Sequence, residues 1–345
     1  MPHGSDPISE TYKDNGGCEP GDLRITFVSM AFSLPTPSFA LKRDESRWDG
    51  LPPLVKAETV FELVWAALSA LLFLFIVFKL FKIRISSTPR GPYILLALVS
   101  FTSAISNARY FFRFRKQMEL SGFAKFMTAS NILGMFAQVF EPAVVLWLTQ
   151  IRGQAFGSQQ PGSSSPIVAR TWKRVVDWVL AAVTFIYLVA LECSTLSHSL
   201  KLFHNFESYQ EYQEYQEYFK LLEKLQHLST VLFLLLSINV VASLFTLWFS
   251  QRRARFTDSV VTRLLTTSTP FVLPLVFIWL FFDIWRSETI EANRRANLAY
   301  VIIEGVCQVG IIASVISTMD LHADTDPSGS SSNLNQPSSP IYKEA

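Results

Sequence analysis

The chain has 345 residues, of which 50% are hydrophobic and 17% charged, and its 29 Phe and 8 Trp are gathered into runs longer than a soluble core uses. The net charge of +2 comes from basic residues set beside those runs rather than in one patch, which excludes a nucleic-acid interface. Cys18, Cys193 and Cys307 offer neither a disulfide framework nor a metal-type spacing, leaving room only for one bridge, Cys18 to Cys193.

Residues 1–56 are polar and broken by Pro35 and Pro37, with Asp6, Glu10, Asp14 and Glu19 ahead of the one apolar patch. That order is wrong for a signal peptide and predicts a disordered tail; Met30 offers an alternative start. A first membrane-length segment spans Val60 to Leu80 and ends at the basic Lys79, Lys82 and Arg84; a second spans Tyr93 to Phe112 and contains Arg109.

The third segment, Phe126 to Leu148, carries Asn131, Gln138 and Glu141, which with Gly134 fall within roughly a quarter of a helix circumference. Polar groups at bilayer depth cost on the order of 2.5–3.5 kcal/mol each for charged types, so this stripe should face other helices. The stretch from Gly153 to Pro166 reads as a low-complexity linker, and a fourth segment runs from Val175 to Leu196. The loop beyond it holds the triplet repeat Tyr209 to Tyr218, which a slipped coding repeat explains; the repeat is expected to be dispensable, although its Glu and Gln suit a helical extension into the fifth segment. That segment, Leu228 to Phe249, is followed by Leu264 to Trp285 with Pro270 and Pro274, which predict a kink. The seventh, Leu298 to Met319, has Glu304 and Gln308 four apart on one face. Residues 321–345 read as a second disordered tail, so the domain plan is a tail over 1–56, a seven-helix domain over 57–320 and a tail over 321–345.

The loops after segments one, three and five are the basic ones, with Asp258 their only acid. The positive-inside rule therefore predicts an all-α, seven-helix transmembrane bundle with its amino terminus outside and its carboxyl terminus cytosolic. One connection dissents: Arg113, Arg115, Lys116 and Lys125 follow the second segment. The cytosolic side would also hold the Ser-Pro clusters at Ser165 and Ser339, and its basic loops would be the surface for a cytosolic partner. The membrane concerned is the plasma membrane or an endomembrane.

A short basic first loop, a polar second helix, a third ending LWLTQIR, a sixth built around TPFVLPLVFIW and a seventh beginning AYVIIEGV resemble an uncharacterised family of fungal seven-helix integral-membrane proteins over residues 57 to 320. The resemblance implies a membrane protein grouped with receptor-like and lipid-translocating exporter-like proteins. It carries over no functional residue.

Better-known seven-helix chemistries lack their residues here. The seventh segment has no lysine for a retinal Schiff base, the inner end of the third reads TQIRGQ where rhodopsin-type receptors have a D/E-R-Y triplet, and His198, His204 and His227 gather about a loop rather than within helices. No phosphate-binding, nucleophile-elbow or HExxH motif is present, so no catalytic residue, cofactor or metal is expected. The candidate site is intramembrane and polar: Arg109, Asn131, Gln138, Glu141, Glu304 and Gln308, with Glu192 and Asp283 nearer the outer ends. An Arg109–Glu304 ion pair is expected at shared depth. A receptor-like sensor of a small or lipophilic ligand, a translocator of a lipid or small lipophile, and a non-catalytic scaffold in the bilayer all fit these residues; helix count and orientation favour the sensor.

Overall fold

A computed structural model describes residues 52–82, 90–115, 120–159, 166–202, 209–284 and 290–323. The described residues form seven α-helices and one 3-10 turn: α1 Pro53–Lys82, α2 Gly91–Arg115, α3 Leu120–Gln159, the turn Ile167–Ala169, α4 Thr171–Leu202, α5 Tyr209–Arg253, α6 Ser259–Ile284 and α7 Ile290–Ala323. All seven helices are long and apolar enough to cross a membrane. Most of the 1–56 tail, all of 324–345, Cys18, Met30 and both Ser-Pro clusters lie outside the described residues.

Each helix outlasts its expected span. Apolar composition marks only the part fit for hydrocarbon, whereas the backbone stays helical until something ends it. Pro53 can open α1 because the first turn needs no N–H from it. The expected linker after the third segment is corrected at its start, where α3 continues to Gln159, and just past its end Ile167–Ala169 is an ordered turn. Burial holds both pieces, for Phe156 and Val168 pack with Leu247 and Val261. The Tyr-Gln-Glu repeat is likewise no loop but the first turns of α5. Tyr218 in its last turn meets Ser194 of α4, oxygen to oxygen at 3.1 Å.

The α5–α6 turn is closed by its own backbone. Phe256 N–H donates to Gln251 O at 2.9 Å and Arg255 N–H to Arg252 O at 3.1 Å, the pairing of a Schellman cap, with Arg255 in the left-handed region at φ 55°. Asp258 then caps α6, accepting from Val260 N–H at 2.8 Å. The single acid of the basic connections is thus spent on a helix start, and its other oxygen lies 3.8 Å from Arg152.

Successive helices pack in a ring, α1 beside α7 closing it, while α3 also reaches α5, α6 and α7. In α3's most apolar window 61% of residues are buried, against 17% in α1, so α3 is the axis and α1 belongs to the wall. The outward faces are apolar. On α4, Trp172, Val175, Val179, Val183 and Ile186 are exposed, while Asp177, Ala181, Thr184, Leu188, Glu192 and Thr195 are buried. A helix with its valines outside and its acids inside inverts the soluble pattern, as a lipid-facing wall requires. At the ends of α1 and α5, Lys79, Lys82 and Arg252 lie over the rings of Phe75, Phe78 and Trp248, 4.6 to 5.0 Å from their centroids, the placement of cations drawing back toward a headgroup layer.

Candidate functional site

The interior is divided by depth. Toward the end where α1, α3, α5 and α7 finish, an apolar cluster holds Ile76, Leu96, Val144, Leu148, Leu244, Leu264, Ile311 and Val315, with Thr149, Gln150, Asp177 and Thr318 buried among the helices beside it. Toward the end where those helices begin, the interior is polar, with Glu62, Arg109, Asn131 and Glu192 all buried. Because the chain alternates direction, the late part of α2 and α4 meets the early part of α1, α3 and α7.

Two hydrogen-bond groups occupy this polar half. In the first, Arg109 Nη1 donates to Asn131 Oδ1, and Asn131 Nδ2 donates to Glu192 Oε1 at 2.8 Å. One amide thereby joins α2, α3 and α4, using its acceptor for the cation and its donor for the anion. In the second, Gln138 Nε2 donates to Glu304 Oε1 at 2.5 Å. Gln308 Nε2 reaches the same oxygen at 3.4 Å, and the Tyr300 hydroxyl also bonds this carboxylate.

The expected Arg109–Glu304 ion pair lies within a wider arrangement. Arg109 acts on Glu304 and on Glu192 through space, but its guanidinium is turned to Asn131. Glu304 takes its bonds from amides and a phenol. α3 packs on both α2 and α7 and presents Asn131 to Arg109 and Gln138 to Glu304. Asn131 and Gln138 are seven residues apart, roughly 10 Å along the helix, so the two groups sit at successive depths.

Glu141 lies one turn deeper. Its residue is 1% exposed, its Oε1 meets no hydrogen-bond partner, and the charge of Glu304 acts on it. Pro142 follows inside the helix and, lacking an N–H, denies the Gln138 carbonyl its regular donor. Cys307, buried on α7, feels both carboxylates. Close helix approach makes these contacts reachable: Trp65 of α1 packs directly on Gly305, where a Cβ would collide with its indole ring, and Ser106 of α2 sits against Gly134 in the same way.

Sequence reasoning missed Glu62 and Tyr300, which belong to the polar half and act on one another. It also missed a separate node at the opposite end. There Asp177, 1% exposed, accepts from Gln150 Nε2 at 2.7 Å, from Asn239 Nδ2 at 2.8 Å and from Lys173 Nζ, while Lys173 also donates to Asn239 Oδ1 at 2.6 Å. Lys173 reads in sequence as part of a basic membrane edge. The signal available was its i, i+4 spacing to Asp177. This node is fully engaged and ties α3, α4 and α5 together. The side chain of Asp283 lies outside the described residues.

Comparison with protein-family models, with curated proteins and with solved structures returns no match to this chain.

Proposed function

We propose that the chain is a receptor-like membrane sensor of a small or lipophilic ligand, held in the plasma membrane or an endomembrane with its polar half opening outward. The division of the interior by depth carries this reading. A conduit needs polar groups free along its whole path, whereas beyond Glu141 the apolar Val144, Leu148, Leu244, Ile311 and Val315 cluster together and the polar Asp177 is taken up by Gln150, Asn239 and Lys173. Ligand contact with Arg109, Asn131 or Glu304 would be passed to α6, whose Pro270 and Pro274 weaken its backbone ladder. α7 reports on that region directly: Ser314 Oγ donates to the Thr267 carbonyl at 2.9 Å and Arg263 Nη1 to the Ser317 carbonyl at 3.1 Å. The basic loops at the closed end would present the change to a cytosolic partner.

Accessibility tests the reading. A Gln138→Cys variant in a background with Cys18, Cys193 and Cys307 all replaced by Ser, in sealed vesicles of known orientation, should react with a membrane-impermeant thiol reagent from the exterior face alone. Reaction from both faces would identify a translocator. Reaction from neither would leave a scaffold, and either result overturns the sensor.

A further inference from the structure

We propose that Glu141 and Glu304 together bind one small monovalent cation, sodium, between α3 and α7. Glu141 is the group that asks for it. It is 1% exposed, its Oε1 has no hydrogen-bond partner, and an uncompensated carboxylate so far from water is strongly disfavoured. Its electrostatic neighbour is a second carboxylate, Glu304, which would aggravate the problem if nothing stood between them.

The surrounding atoms suit a hard cation. Gln138 and Gln308 both spend their amide N–H groups on Glu304, so each leaves its side-chain oxygen available as a ligand. The Gln138 carbonyl, without its regular helical donor because residue 142 is proline, is a further oxygen at the same level. With the carboxylates these form an oxygen set of the kind sodium and other hard cations prefer; the Cys307 thiol beside them is too soft to contribute. Helix geometry brings them together: Glu141 is one turn past Gln138 on α3, Gln308 is one turn past Glu304 on α7, and the Gln138–Glu304 bond fixes the two helices at that register.

Charge favours a cation. Arg109 is shared with Glu192 through Asn131 and acts on Glu304 only through space, so the Glu141–Glu304 pair keeps net negative charge that one sodium ion lowers. The site does not depend on the sensor reading, because a cation here can stabilise the bundle whether or not a ligand enters above it.

The test uses the full chain purified in detergent. At constant ionic strength, replacing choline chloride with NaCl should raise the melting midpoint saturably, by about 3 °C at a tenfold excess over Kd. Glu141→Gln should abolish that response, while Glu192→Gln, at the other hydrogen-bond group, should keep it. Should Glu141→Gln fail to fold, wild-type protein must still show saturable 22Na+ binding displaced by unlabelled sodium. Equal response to sodium and choline, absence of saturable 22Na+ binding, or a midpoint that follows pH but not sodium would each overturn the proposal, the last by showing that a proton fills the pair.

Discussion

Arg109 on α2 and Glu192 on α4 are joined through a single amide: Asn131 receives the guanidinium on Oδ1 and returns a bond to the carboxylate through Nδ2. All three residues are buried. The Asn131 amide supplies the acceptor and the donor from two separate atoms of one planar group. Asn131→Leu removes both bonds at once and should destabilise the protein by about 2–3 kcal/mol. Asn131→Asp keeps the acceptor for Arg109 but turns a second carboxylate toward Glu192. Thermal melts in detergent should therefore place both variants below wild type, and a neutral Asn131→Leu would show that the relay contributes nothing to stability.

The second hydrogen-bond group predicts an ordering of couplings. A double-mutant cycle between Gln138 and Glu304, both replaced by Leu, should give an interaction of about 1–3 kcal/mol, the range for a hydrogen bond to a charged group. The cycle between Arg109 and Glu304 should give less, because their interaction passes through space rather than through a shared bond. If the Arg109 cycle gave the larger value, the partner assignment drawn from the hydrogen bonds would be wrong.

Asp177 is engaged by three donors, accepting from Gln150, Asn239 and Lys173. Asp177→Ala leaves all three donors around an empty site and should cost about 3–5 kcal/mol. Size-exclusion profiles after mild heating should show early loss of monodisperse protein. Asp177→Asn, which keeps an acceptor oxygen, should lose less.

Arg255 holds a left-handed backbone, φ 55°, where a Cβ is unfavourable and glycine is the usual occupant. Its side chain lies outside the polar groups described above. Arg255→Gly should raise stability by about 0.5–1 kcal/mol, after glycine's extra unfolded-state freedom offsets part of the relieved strain. An unchanged or lower melting midpoint would mean that the guanidinium stabilises the turn more than the strain costs.

Topology is open to direct measurement. Given the basic connections after α1, α3 and α5, a reporter after Ala345 should be cytosolic and an epitope near Gly16 exterior. Protection of both tags on the same side would require an even number of spans.

Much of the bundle was legible in one dimension. Apolar runs longer than a soluble core uses mark seven helices, and the polar residues of α3 identify it as the helix the others surround, because hydrocarbon cannot solvate Asn131, Gln138 or Glu141. Run lengths show less well where helices end. Glycines and serines after Leu148 look like a linker, yet Phe156 buries itself against Leu247 and Val261 and keeps the backbone helical. The Tyr-Gln-Glu repeat reads as a loop whose Glu and Gln suit a helical extension, and the structure takes the helical alternative as the start of α5.

What the sequence by itself determined was which half of each helix holds its polar residues. What only the tertiary structure decided was direction around each helix, the order of helices in the ring and the register between them. Arg109 and Glu304 share a half by sequence, but the structure seats the cation on Asn131 and the anion on Gln138, roughly 10 Å apart along α3. Asp177 shows the same limit: its partners Gln150 and Asn239 lie 27 and 62 residues away, and no local pattern brings such residues together. Burial in a medium without water forces each polar group to find a partner, and packing decides which partner is within reach.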